Sequence, residues 1–504
     1  MKKITLLLFS TIFLIFATLP SCEDDNPGGG GGGSKNDEVN LVSQFVYDGM
    51  SSYYLWNKEI LSKKPTAKDS DPEKYFYGIL NSTDTKHAWS WITDDVESLL
   101  ASFSGEETKA FGFNPFPLWF DDSHTRLLAF VRFVFPNTPA FQAGLKRGEI
   151  ITHVNGVQLN GTNYSAIYGA TATTTFTVCD QNMENPRDLQ ITPGNFSTDP
   201  VLYHDVHSVG GKKIGYLFYT NFIGRYNASL YAAFQDFKQA GIDDLVLDLR
   251  YNTGGEVSAA IYLASLTAPK IDVQNKRVFT TMSYNDNLNA AYDKNKWDRN
   301  DYLGAYDKNV EQDPLNVNMD LDKVYIIATG GSYSASELLT FCLAPYMDVK
   351  HIGEKTGGKY TASITLHAYD SFEDAGGNPR AQPIYNVSGL TLNQKSTLKN
   401  WAMQPIVGRY TDKNGKDFID TDGLVPDYAV QSQEYNTSTW KPIGNEDDYL
   451  FAKAISLIAG TAPHTAGAST RGALKQFADP NFFSPKDQIL KEAVIIDKPQ
   501  IIVP

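Results

Sequence analysis

Two stretches of this chain run from a short apolar segment straight into glycines and then into a helical pattern. Leu245-Val246-Leu247 leads through Asp248-Leu249-Arg250-Tyr251-Asn252-Thr253-Gly254-Gly255 to a helix expected to reach about Leu266. Residues 324–328 lead through Thr329-Gly330-Gly331-Ser332-Tyr333 to a helix expected over 334–346. Apolar runs this short, without polar alternation, suit strands covered on both faces. A strand is also expected over 214–219, and a helix over 226–240 with Leu230, Phe234 and Phe237 on one face. Strands alternating with helices predict an α/β layered core. Domains usually hold about 100–200 residues, so a chain of 504 must contain more than that core.

The N-terminus reads as an export signal. Lys2 and Lys3 precede an apolar run over 4–19, too short and too close to the start for a membrane span. Leu19-Pro20-Ser21-Cys22 closes the run and resembles the bacterial lipobox, which implies that Cys22 carries lipid. Glu23, Asp24 and Asp25 follow, similar to acidic export signals of some surface lipoproteins. Six consecutive glycines, 28–33, hold neither helix nor strand and predict a flexible tether. The expected layout is thus a signal peptide over 1–22 and a tether over 23–38. The expected location is outside the cytoplasm, lipid-anchored to the cell envelope, at the outer membrane and on its surface.

Net charge is −14, which argues against nucleic acid as a partner, because phosphate contacts need clustered Lys and Arg. Cys179 and Cys342 remain once Cys22 is assigned; they could pair, but their spacing is no disulfide framework. With no CxxC or His-rich pattern, no metal and no cofactor are expected.

Apolar residues at 42, 45, 46, 50, 53 and 54 predict a packed helix over about 39–64, capped by Asn36 or Asp37, within a helical region 39–103. From 104 the texture changes. Phe111-Gly112-Phe113 is followed by a strand over 127–134. Next comes Asn137-Thr138-Pro139-Ala140-Phe141-Gln142-Ala143-Gly144-Leu145-Lys146-Arg147-Gly148-Glu149-Ile150-Ile151, then Val154-Asn155-Gly156. Pro139 suits the first turn of a short helix, Gly144 its left-handed end, and Asn155-Gly156 a tight turn. This run resembles PDZ domains of bacterial peptidases, with Glu149 where Asp is usual. The resemblance implies a peptide-binding module over 104–200 that takes an extended segment as an added strand. Phe111, Gly112 and Phe113 would form its carboxylate-binding loop.

Ser334-Ala335-Ser336-Glu337 opens a helix after a glycine turn. A serine there lies near unpaired amides and the positive end of the helix dipole, an environment suited to an acyl-transfer nucleophile. The same four residues also fit a capping box, Ser334 at N-cap and Glu337 at N3. Downstream, Gly353-Glu354-Lys355-Thr356-Gly357-Gly358-Lys359 places a lysine after two glycines. A free lysine is a poor base, but desolvation favours its neutral form, so a Ser–Lys dyad can work without histidine.

Together with the Asp248–Gly255 run, and with Gly423-Leu424-Val425-Pro426-Asp427 further on, these motifs resemble the C-terminal processing peptidases, or tail-specific proteases. The resemblance covers roughly 104–430. It implies a crotonase-like catalytic core over 201–462, followed by a tail over 463–504. In that family's terms Ser334 is the nucleophile and Lys359 the general base. The Ala335 N–H and an amide from Gly254 or Gly255 form the oxyanion hole, while Arg250 and Asn252 hold the loop. Ser336 is a rival nucleophile. The substrates implied are peptides or proteins, selected through their C-termini, with the membrane reached through the lipid anchor. The family often has Gln four residues after the lysine; here that position is Ser363. The stretch 256–334 is also longer than usual and contains an Asn-, Asp- and Tyr-rich segment, 284–313, that reads as a lid or a surface excursion. Two other readings are open: a catalytically inactive peptide-binding lipoprotein that kept the fold, and a Ser–His hydrolase using His351 or His367.

Overall fold

Alternation within single strands decides how the core is layered. The computed structural model describes residues 38–120, 123–374, 376–434, 436–461 and 494–496. In it, Lys212–Tyr219 sends Leu217 and Tyr219 to one face of its sheet and Ile214, Tyr216 and Phe218 to the other. Asp244–Asp248 divides Leu245 and Leu247 from Val246, and Lys323–Ala328 divides Val324 and Ile326 from Tyr325 and Ile327. Both faces are apolar, so both need covering. Helices Asn227–Ala240, Val257–Thr267 and Ala335–Leu343 cover the first face and Tyr449–Ala459 the second. Across this sheet the order is Val201–Val209, Lys212–Tyr219, Asp244–Asp248, Lys323–Ala328, Asp348–Gly353, Tyr428–Ala429; the first pair is antiparallel and the rest are parallel. The chain is therefore a mixed α/β protein.

A second sheet stands beside the first. Its order is Gly255–Glu256, Val494–Ile495, Thr361–Ser363, Ile406–Asp412, Val278–Tyr284, Asn300–Tyr302. The long segment 284–313 belongs here. It leaves the sheet, forms helix Asp286–Asn295, and returns as Asn300–Tyr302. Asn285 ties it to the N-terminal region by donating to the carbonyls of Ser52 (3.1 Å) and Tyr54 (2.9 Å). It is a docked excursion, held at its root by two hydrogen bonds.

Residues 113–191 build a separate antiparallel sheet, Phe113–Trp119, Leu127–Val134, Ile150–Val154, Thr174–Cys179, Arg187–Ile191, around its own apolar cluster of Phe111, Val131, Ile151, Phe176 and Val178. Pro139–Gln142 is a short helix capped by Thr138, and Asn155-Gly156 turn with positive φ (51° and 76°).

The N-terminal helix is Leu41–Tyr53, shorter than periodicity suggests. Asn40 caps it, accepting from the Val42 N–H (2.9 Å) and the Ser43 N–H (3.1 Å), while Asn36 and Asp37 lie outside the described residues. Cys179 and Cys342 are both buried and free; they form no disulfide. The signal run, Cys22 and the glycine tether lie outside the described residues, as does most of 463–504. Among the described residues no helix is long and apolar enough to cross a membrane.

Candidate active site

The two glycine turns foreseen from sequence are stitched to each other. Thr329 Oγ1 donates to the Arg250 carbonyl (2.6 Å) and Ser332 Oγ to that of Leu249 (2.6 Å). Arg250 is wholly buried and pins the first turn. Its guanidinium reaches Asp248 and Asp448, each at 2.6 Å from Nη2, so the buried charge is paired on two sides. Asn252 donates to the Tyr219 carbonyl (3.0 Å) and accepts the Gly254 N–H (2.9 Å). Gly254 thus spends its amide on the loop itself, which assigns it to shaping the turn rather than receiving an oxyanion.

Gly254 also has to be glycine. Its φ is +114°, and a Cβ there would lie 2.7 Å from Ser334 Cβ and 3.0 Å from both Ser334 Oγ and the Ala335 nitrogen. These distances place the first turn directly against the serine and the first free N–H of the Ala335–Leu343 helix.

Ser334 itself adopts φ +63°, ψ −113°, backbone that costs a non-glycine residue of order 1–3 kcal/mol. It is wholly buried, and its Oγ makes no hydrogen bond. Only half of the expected capping box operates: Glu337 accepts the Ser334 N–H (2.8 Å), while the serine hydroxyl caps nothing. A strained backbone and an unsatisfied buried hydroxyl on one residue are hard to explain structurally and point to function. Ser336 is the opposite case. Its hydroxyl donates to the Asn252 carbonyl (2.8 Å) and serves the loop.

Lys359 is brought to the serine through a shared partner. The Glu337 carboxylate accepts the backbone N–H groups of Ser334 and Lys359 on one oxygen, both at 2.8 Å. The other oxygen takes Gly358 N–H (2.7 Å) and the Thr356 hydroxyl. Burial pushes the Glu337 carboxyl upward in pKa, against the pull of these hydrogen bonds. Tyr410 adds a second tie, its hydroxyl lying 3.0 Å from the Lys359 carbonyl and 3.5 Å from that of Ser334. Lys359 is itself wholly buried.

The N-terminal region joins this site, a role periodicity did not show. Trp89 Nε1 donates to the Tyr333 hydroxyl (2.5 Å), one residue before the serine. Asp84, buried and bonded to the Tyr54 hydroxyl (2.7 Å) and the Ser90 N–H (2.8 Å), is pushed upward by burial, partly opposed by those hydrogen bonds and by the Lys359 charge. At Ser363 an amide arrives from another strand: Gln404 Nε2 donates to Ser363 Oγ (3.2 Å).

Neither histidine serves Ser334. His367 Nδ1 accepts the Asp370 N–H (2.9 Å) and its Nε2 faces the Lys399 carbonyl (3.0 Å). His351 sits beside the Ala328 carbonyl (3.4 Å). Burial lowers the pKa of both.

Phe111, Gly112 and Phe113 line a cavity of about 440 Å³ that also touches Ser102, Tyr251 and Thr253. The 113–191 sheet packs there on the first glycine turn, with Phe133 6.1 Å from the Tyr251 ring and the Arg132 guanidinium 4.7 Å above it.

Comparison with known proteins assigns most of this region to one family. The Peptidase S41 N-terminal domain matches residues 42–91, and Peptidase family S41 matches residues 213–430. A Staphylococcus aureus protein named "Probable CtpA-like serine protease" is 26% identical over 332 residues, 64% of this chain and 55% of that one. A Picosynechococcus carboxyl-terminal-processing protease is 23% identical over 229 residues, 44% of this chain and 49% of that one. The chain thus spans about half the length of these curated relatives. A solved structure from Bacteroides fragilis, assigned to the S41 proteases, superposes with a TM-score of 0.62 at 25% identity, covering 82% of this chain and 97% of that one. This chain belongs to peptidase family S41.

Proposed function

We propose that the chain is a serine endopeptidase of the C-terminal processing type, working through a Ser334–Lys359 dyad. The observation that carries this is Ser334: strained, buried, unbonded, and tied through one carboxylate to the backbone of a buried lysine. Lys359 takes the hydroxyl proton as Oγ attacks the peptide carbonyl. The tetrahedral oxyanion is received by the Ala335 N–H and, since Gly254 is engaged, by Gly255. Collapse releases the C-terminal fragment, with the proton returned to its amine, and water then hydrolyses the acyl-enzyme. The core is read as crotonase-like and the 113–191 sheet as PDZ-like, with Phe111-Gly112-Phe113 receiving a substrate's C-terminal carboxylate. Support for that last role is the cavity, which runs from these residues to Thr253 beside the active-site turn. Anchoring at Cys22 would set the enzyme on the cell envelope.

The test is labelling of Ser334 by a fluorophosphonate, alongside hydrolysis of peptides with free and amidated C-termini. Free-ended peptides should be cut with kcat/KM higher by about tenfold or more, the value of a charge-assisted hydrogen bond to the carboxylate. Equal rates would remove the carboxylate role. Gly254→Ala should lower kcat/KM by about 100-fold or more, as loss of oxyanion stabilisation does elsewhere, because its methyl group would displace Ser334 and Ala335. Near-normal rates in that variant would refute the packing argument.

A further inference from the structure

The gap between Gly255–Glu256 and Thr361–Ser363 is filled by the chain's own residues 494–496. Val494–Ile495 runs parallel to both flanks, Gly255 paired with Val494, Glu256 with Ile495, and Ser363 with Ile495. The Ile496 N–H donates to the Ser363 carbonyl (3.0 Å), and its half-buried side chain packs on the main apolar cluster. Gly255 follows the turn whose Gly254 touches Ser334, and Thr361 begins two residues after Lys359. A main chain in this gap therefore lies between the turn beside the nucleophile and the strand behind the base. With the segment in place, Ser334 and Lys359 are both wholly buried.

We infer that this gap is the strand-binding slot of the active site, that it takes an extended peptide by main-chain pairing with an apolar residue at the place of Ile496, and that residues 494–496 occupy it as an internal competitor that holds the enzyme latent. The inference rests on the peptidase reading of Ser334. The two short flanks are exposed edges unless a strand is supplied, and an added strand satisfies both by main-chain hydrogen bonds. A covalently attached segment acts at an effective concentration that reaches the millimolar range, so even weak intrinsic binding keeps the slot filled. A substrate must displace it.

Ile496→Pro removes the donor to Ser363 in the otherwise intact chain. Fluorophosphonate labelling of Ser334 should then speed up by about fivefold or more, the equivalent of one main-chain hydrogen bond. Ile496→Asp, which keeps the N–H but charges the half-buried side chain, should act in the same direction, and Ile496→Val should label at the parent rate. A synthetic peptide of residues 491–500 should slow labelling of the Ile496→Pro chain, and the same peptide with Pro at its 496 position should not. If both Ile496→Pro and Ile496→Asp label at the parent rate while Ser334→Ala abolishes the label, the latent segment is wrong and the peptidase reading stands. If no form of the chain labels, the peptidase reading has failed. The slot is then decided by fluorescence anisotropy of labelled 491–500 peptide on the Ile496→Pro chain, where saturable binding supports it and its absence overturns it.

Discussion

Ser334→Ala is expected to abolish peptide hydrolysis while leaving the fold as stable as before, or about 1 kcal/mol more stable, since removing a buried hydroxyl without a partner costs nothing and can help. A capping serine would give the reverse, a stability loss of about 1 kcal/mol, but the hydroxyl of Ser334 makes no hydrogen bond. Lys359→Arg and Lys359→Met should be equally inactive, the first because guanidinium stays protonated and accepts nothing. If the two form the proposed dyad, the double variant should be scarcely worse than either single one, because residues acting as a unit are not additive. Thermal melts beside peptide kinetics check all of these outcomes, and a Lys359→Arg enzyme turning over at near-normal rate would remove the lysine from the mechanism.

Glu337→Gln is expected to damage stability and activity together. Each carboxylate oxygen of Glu337 accepts two hydrogen bonds, from Ser334, Lys359, Gly358 and Thr356. An amide has one oxygen, so two buried donors would face an NH₂ group instead. Each orphaned buried donor costs about 1–3 kcal/mol, which for two sets a destabilisation of about 2–6 kcal/mol. The strained backbone of Ser334 and the position of Lys359 would relax with it, and kcat/KM should fall by about 100-fold or more. Tyr410→Phe, losing one hydroxyl to the same two carbonyls, should show the same pattern in weaker form. Urea unfolding of the two variants measures the first effect and fluorophosphonate labelling the second; a Glu337→Gln chain unaffected in both would show that the bridge holds nothing.

Local pattern carried the core strands, because a buried strand writes itself as a short apolar run and its neighbouring turn as glycine. Residues 212–219, 244–248 and 323–328 lay within one or two residues of where their sequences put them. The serine and lysine were legible as motifs but not as neighbours. What joins them is Glu337, visible in sequence only as a helix-capping residue, and its bonds to Gly358 and Lys359 span more than twenty positions that no periodicity links. The contributions of Asp84, Trp89 and Gln404 were hidden for the same reason: an aspartate in a short helix, a tryptophan in the loop after it and a glutamine ending a short strand do not say what they pack against. The strand at Val494–Ile495 was missed because two residues pairing with two other short edges leave no pattern long enough to read.

The Trp89–Tyr333 hydrogen bond spans 244 positions of sequence, and that distance has a consequence for biosynthesis. Translation delivers residues 42–91 long before the serine, and the serine before Lys359 and Tyr410. No growing chain short of residue 410 holds all the parts that fix Ser334, so the site is complete only when distant segments have met. On the proposed peptidase reading, the ability to cut peptides is then a late product of folding, acquired only after residue 410 has joined the rest.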